Sequence, residues 1–367
     1  MLVMCSCWGQ DPTARETIEE HYPDGQLKLQ REVIRDAQGR EVRDGVQRRY
    51  DPSGQVVDER RYQNNVLEGP WTQWYPSGEK KAEGNYHAGR RDGAEIHWSR
   101  RGVPFLETNY RAGRRHGKRF ERIAVDRVIV EADYVDGQLE GVYQEWYPDG
   151  QPKIERHYLA GEPHGTDRRW YKDGTLHTEA NYEKGDKHGL YQEWFLNGQL
   201  ITSTTYDRGV LHGPVTLYHA SGNKKAEGAY NRGEIDGVWR EYHDNEAGQL
   251  AAEWNYQHGI RQGVQRSWHE NGQPFMETNV VDDVQQGPWT EWYDNGTKKA
   301  EGEYADGQFD GRVSYWYADG NPWAVREYRA GVRHGVWQDW DEEGQMIADQ
   351  RYEDGRLVES ADTVAAP

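Results

Sequence analysis

Aliphatic residues are scarce in this chain. Leu, Ile, Val and Phe supply 56 of 367 residues, about 15%, below the roughly 20% under which a strongly charged chain is expected to stay unfolded. Cysteine is confined to Cys5 and Cys7, which excludes a disulfide-stapled fold. No apolar run reaches the roughly 18 residues of a membrane-spanning helix. Positive charge is in deficit: 45 Lys and Arg face 63 Asp and Glu, a formal charge of −18, and such a chain repels nucleic-acid phosphates. There is no 3.6-residue apolar period. No glycine-rich phosphate loop, nucleophile elbow or zinc motif occurs.

What the chain has instead is 16 Trp, 24 Tyr and 42 Gly. Each buried Trp or Tyr removes about 150–250 Å² from water, so rings can replace the missing aliphatic core. They recur with a 24-residue period. A first glycine stands at Gly45, Gly69, Gly93, Gly117, Gly141, Gly165, Gly189, Gly213 and Gly237, then, after one step of 26, at Gly263, Gly287, Gly311 and Gly335, which makes thirteen units over 45–358. Five residues after it comes an aromatic (Trp74, Trp98, Trp146, Trp170, Trp194 and onward), with Arg122 the exception. A turn glycine follows. Next come an acidic column (Glu83, Glu107, Glu155 among its members) and a tyrosine column (Tyr86, Tyr110, Tyr158 among its members), the latter broken once, by Val280. A second turn glycine closes the unit.

This is β-hairpin chemistry. Trp71-Thr-Gln-Trp-Tyr75 has the aromatic and β-branched content of a short strand. Pro76-Ser-Gly78 and Asp294-Asn-Gly296 are turn signals with glycine available for positive φ. Two short strands and two turns fill 24 residues and leave none for a helix. The expected fold is all-β: a single antiparallel meander of about thirteen hairpins in an elongated, twisted, solenoid-like sheet. Residues 17–44 read as a degenerate capping unit, residues 1–16 as a non-repeat segment, and 359–367 as a frayed tail.

The pattern Gly-x-Trp-x-x-Trp-Tyr-x-x-Gly-x-x-x-x-Glu-x-x-Tyr-x-x-Gly resembles the bacterial variant of the MORN repeat, in arrays similar to those of YwqK-type antitoxins. That resemblance implies a non-catalytic immunity protein that binds and neutralises a toxin through its sheet. The acidic balance suits a basic protein partner. The competing reading is an envelope-associated scaffold, or a membrane-peripheral protein that binds lipid or protein. Neither reading calls for a cofactor, a metal or nucleic acid, and the array is expected as a monomer or as an oligomer paired through sheet edges. A start at Met1 implies the cytoplasm. A start further upstream would make Leu2-Val-Met-Cys5 a lipoprotein box and place the chain at the periplasm or cell envelope.

Among the columns, the aromatic one is expected to be core. The less regular ring position two residues after the first glycine (Trp71, Tyr143, Tyr191, Trp239, Trp289, Trp337) is expected to be partly exposed and adhesive. The acids are expected to bond turn amides or lysines such as Lys80, Lys224 and Lys298. The position before the first glycine (His116, His164, His188, His212 and His334, shared with Glu68, Asp92, Glu140, Asp236 and Asp310) is expected to hydrogen-bond turns rather than bind metal, because column neighbours lie too far apart to share an ion. The unit 117–140 departs most, and it ends a basic stretch with eleven Lys and Arg against five acids over 90–127. Arg90, Arg91, Arg100, Arg101, Arg114, Arg115, Arg119 and Arg122 are therefore the candidate partner or anion patch. The competing reading pairs them with neighbouring acids.

Overall fold

A computed structural model describes residues 14–361. Those residues form 34 strands and no helix. They divide into two compact units, one reaching to Leu176 and including Tyr182–Gly185, the other comprising His177–Asn181 and the chain from Asp186 onward.

In the first unit, strands from Glu16–His21 to Glu162–Trp170 each pair antiparallel with the next hairpin arm in sequence. The second unit repeats this from Asp186–Trp194 to Arg356–Ala361. The all-β antiparallel meander is thus as the sequence implies. The cap region folds as strands Glu16–His21 and Leu27–Arg35. At the other end, residues 359–361 of the expected tail continue strand Arg356–Ala361, and the rest of that tail lies outside the described residues. That strand pairs with Met346–Glu353, Asp349 opposite Ala361, because Asp354-Gly355 makes one more tight turn. Cys5 and most of the non-repeat segment lie outside the described residues.

Two turn types alternate. After the first arm comes a wider turn: Tyr75 N–H donates to the Glu79 carbonyl and Gly78 N–H to the Tyr75 carbonyl, both 2.9 Å. After the second arm, two residues suffice. Ala88 (φ 47°) and Gly89 (φ 76°) are both left-handed, the type I′ geometry whose twist matches the flanking strands. The departing unit keeps its hairpin, because Arg114–Ala124 and Arg127–Val135 close around Val125-Asp126. The two extra residues sit in the turn after Tyr242, and Gly237 still opposes Tyr256.

The first glycine has a different task. Gly141 faces Tyr158 across its hairpin at φ 77°, a conformation costly for residues with a Cβ. On its other side the neighbouring strand is bulged, between Ala132 and Tyr134. The glycine therefore absorbs a kink repeated in every unit.

Register assigns the two faces. Trp71 opposes Gly84 and Gln73 opposes Ala82, so these share one face with Tyr86. On this inner face lie the residues most withdrawn from water, including Val33, Ala82, Ala132, Val215, Ala226, Trp239, Ala300 and Val313. The ring two residues after the first glycine lies on this inner face: Trp71 is 7% and Trp239 8% exposed, which corrects the expectation of exposure there, whereas Tyr143, Tyr191, Trp289 and Trp337 are half-buried, as expected. Trp239 packs with Val215 and Ala226 against Leu217, Tyr230, Ile235, Trp254 and Tyr256. The opposing glycine leaves room for the ring. A Cβ on Gly228 would stand 2.5 Å from Trp239 and one on Gly84 2.7 Å from Trp71. Trp74, Trp98, Trp146, Trp170 and Trp194 are half-buried, and none of them is as withdrawn from water as Trp71 or Trp239. They lie on the outer face, and the expectation that they form the core is corrected accordingly.

Candidate interaction surface

The outer face is an ion and hydrogen-bond ladder. The acidic residue of each second arm opposes the residue three after the first glycine, as Arg48 opposes Glu59 and Arg266 opposes Glu277. Both pairs close at 2.7 Å, and Gln144 and Gln338 serve Glu155 and Asp349 in the same way. Lys80, Lys224 and Lys298 reach Glu83, Glu227 and Glu301 at 2.6–2.7 Å. The lysine expectation therefore holds, while the bonds to turn amides belong to another column. Lys80 and Lys298 also lie over the next unit's Trp98 and Trp316, at 5.7 and 5.8 Å. Beside Glu227, the Lys224 ammonium and the Tyr242 hydroxyl hold the carboxyl below its ordinary range. Burial and that carboxylate push Tyr242 up to about 12.

Both rims are stitched. At the two-residue turns, a carboxylate before the first glycine accepts the N–H of the next turn's leading residue in several units. Glu68 takes Ala88 and Glu140 takes Ala160 at 2.7 Å, and Asp310 takes Ala330 at 2.9 Å. His116 Nδ1 accepts the Asp136 N–H at 3.4 Å. This is the turn-stabilising role the column implies. At the wider turns, Tyr75, Tyr147, Tyr293 and Tyr317 donate their hydroxyls to the carbonyls of Trp98, Trp170, Trp316 and Trp340 at 2.8–3.0 Å. His219, His243 and His269 make the equivalent bond at 3.0–3.2 Å. The sequence reading missed this ladder. Its signal is the second ring of the Trp-Tyr pair, with tyrosine and histidine interchangeable because both donate from the end of a flat ring.

The basic stretch does not form one patch. Arg90, Arg91, Arg114 and Arg115 flank the tight turns, whereas Arg100 and Arg101 sit in the wider turn at the opposite rim. Arg119 lies on the inner face opposite Ala132 and is paired with Glu121. Arg122, where other units place a ring, pairs with Glu107 at 3.2 Å and covers Phe120. Arg91 joins Glu95 at 3.0 Å and stacks on Tyr110, Arg115 stacks on Tyr134, and Arg100 lies over Tyr75. Among the described residues, Arg90, Arg101 and Arg114 are the members left without such a partner. Arg90 lines a shallow cleft at the tight-turn rim with His87, Ala88, Asp92, Arg111 and Ala112. Sequence adjacency misleads here because a hairpin arm sends Arg90 and Arg100, ten residues apart, to opposite rims. No group of three or more His, Cys, Asp or Glu side chains that could hold a metal ion occurs among the described residues.

Segments 43–64, 67–88, 139–160, 187–208, 261–282 and 285–306 match the family model described as MORN repeat variant. Each match begins two residues before a first glycine of the 24-residue period, so the six matched segments share one phase of that period. No curated protein matches the chain. Among solved structures, a chain of the Photorhabdus luminescens Tc holotoxin pore is 12% identical over 92% of this chain and 23% of its own, with a TM-score of 0.17. A TcdB2-TccC3 chain without the hypervariable C-terminal region is 11% identical over 96% of this chain and 27% of its own, with a TM-score of 0.17. This chain therefore spans about a quarter of the length of those it aligns with.

Proposed function

We propose that the protein is a non-catalytic, repeat-based binding protein, and that it acts as an immunity partner that neutralises a toxin by occupying its surface. The observation that carries this reading is the uniformity of the outer face. Acids, basic or amide partners and half-buried rings recur as ladders with nearly the same surroundings in each unit. Catalysis needs unlike environments for its acid and base. Binding over a long surface needs only repetition. The charge of −18 favours a basic partner and steers its approach.

Arg90 and Arg114, exposed on one rim of this acidic protein, give the partner a point of register. The test is affinity capture from the native host, followed by co-expression with the captured protein. The expected result is a toxic partner whose growth arrest this chain relieves. Arg90→Glu with Arg114→Glu should weaken capture more than Arg100→Glu with Arg101→Glu on the opposite rim. A captured toxin whose effect is unchanged by co-expression would refute the immunity reading.

A further inference from the structure

The tyrosine column is interrupted once, and the interruption leaves a cleft. Where a unit carries a ring two residues after its first glycine, that ring packs against the tyrosine of its own hairpin, in several units edge-on. Tyr143 meets Tyr158, Tyr191 meets Tyr206 and Trp289 meets Tyr304, with centroids 6.0–6.4 Å apart and planes 76–80° apart. In the unit that begins at Gly263 both partners are replaced. Gln265 stands for the first ring and Val280 for the tyrosine. Gln265 is 1% exposed, with its amide spent on the backbone of Asn255 and Gly263. The space this pair leaves is lined by Trp254, Arg261, Gln265, Met276, Thr278 and Val280.

The cation that serves the missing ring is still present. Where the residue two before the first glycine is basic, it lies over the tyrosine seventeen residues after that glycine. Arg43 covers Tyr62 at 4.2 Å, Arg91 Tyr110 and Arg115 Tyr134 at 5.3 Å, Lys187 Tyr206 at 5.0 Å and Arg333 Tyr352 at 5.4 Å. Arg261 holds that position for Val280. It has no such ring and instead pairs with Asp283 at 2.9 Å. On the cleft floor the Thr278 hydroxyl is buried, in a residue 5% exposed, and has no hydrogen-bond partner among the described residues.

We propose that this cleft is a socket for a tyrosine side chain of a partner polypeptide. Trp254, Met276 and Val280 offer the apolar walls that a phenol ring needs. Arg261 attracts the ring face, as its counterparts do in the other units. The Arg261–Asp283 pair at the mouth supplies both a donor and an acceptor for the phenolic hydroxyl. Phenylalanine would leave both unused, so the socket discriminates for tyrosine. The inference rests on the protein-binding reading above, but its test needs no toxin, so each can fail alone.

The experiment titrates the full chain with N-acetyl-tyrosinamide and follows the methyl NMR signals of Met276, Thr278 and Val280. We expect saturable shifts at these methyls with half-saturation at about 1 mM, the affinity of a small fragment, and several-fold weaker binding of N-acetyl-phenylalaninamide. Val280→Tyr, which restores the ring that other units carry, should abolish the shifts while the chain stays folded. Arg261→Gln, the second variant, should erase the preference for tyrosine over phenylalanine. Absence of saturable shifts, binding unchanged in Val280→Tyr, or a tyrosine preference that survives Arg261→Gln would each overturn the proposal. So would saturable binding of p-cresol with none of the amide, which would mark a site for free phenols.

Discussion

At the scale of single residues, the two ring columns differ in what they support. Trp239 is buried against Gly228, Val215 and Ala226, so Trp239→Ala should cost about 3–5 kcal/mol. Trp292, half-buried on the outer face, keeps part of its surface wet in the native state, and Trp292→Ala should cost about half as much. Thermal midpoints of the two variants order the columns directly; equal losses would contradict the face assignment. The pair Glu227–Tyr242 makes stability depend on pH at both ends. The raised Tyr242 contributes stability that is whole below pH 10 and is lost as pH climbs through about 12. The lowered Glu227 contributes stability present above its ordinary 4.5 and lost as pH falls through its depressed value. Tyr242→Phe should therefore be less stable than the parent across neutral pH. The gap should narrow above pH 10, where the unfolded chain's phenol ionises, and close as pH climbs through about 12, where the folded parent's phenol ionises as well. A midpoint difference that stays constant into strong alkali would contradict the hydrogen bond.

At the scale of the hairpin, the tight turns carry strain that the chain has not removed. Ala88, Ala112, Ala160 and Ala330 hold φ of 44–52°, in a region that costs alanine more than asparagine. Each Ala→Asn substitution should raise stability by up to about 1 kcal/mol, and a four-site variant should show it plainly in its melting midpoint. Glu68→Ala should act in the opposite direction and lower the melting midpoint, because it frees the Ala88 N–H. These turns explain why the fold was legible in the sequence. Pro76-Ser-Gly78 and Ala88-Gly89 specify where each arm stops, and turns of fixed length fix the strand count. The same turn logic kept the hairpin at Val125-Asp126, where the ring and glycine were lost. The faces were less legible. Each unit contains a bulge, as between Gln73 and Trp74. One slipped residue exchanges inner for outer, so alternation counted along Trp71 to Trp74 cannot say which ring is buried. Gly84 and Gly228 hold the missing clue: a glycine inside a strand marks the close approach of a large side chain.

At the scale of the whole molecule, poverty in aliphatics is answered by repetition. A ring beside an alanine or glycine on a neighbouring arm buries both, and each hairpin needs only its neighbours to do so. The candidate site was less legible than the fold for a related reason. Charge counted along 90–127 merges two rims and an inner face that the meander separates, and only Arg90, Arg101 and Arg114 remain without partners there. With a charge of −18, association with a basic partner should be fast at low salt. It should slow several-fold as the Debye length shortens from about 30 Å at 0.01 M to about 8 Å at 0.15 M, while the dissociation rate changes little. Stopped-flow kinetics at the two salt concentrations measures both. The most direct test of the central proposal, that the chain neutralises a toxin partner by occupying it rather than by chemistry, is a titration of the captured partner's activity at concentrations far above the dissociation constant. Occupation predicts a linear fall to a stoichiometric endpoint that is reached at once and reverses on dilution. Neutralisation that proceeds with time at substoichiometric amounts of this chain, with the partner altered afterwards, would contradict it.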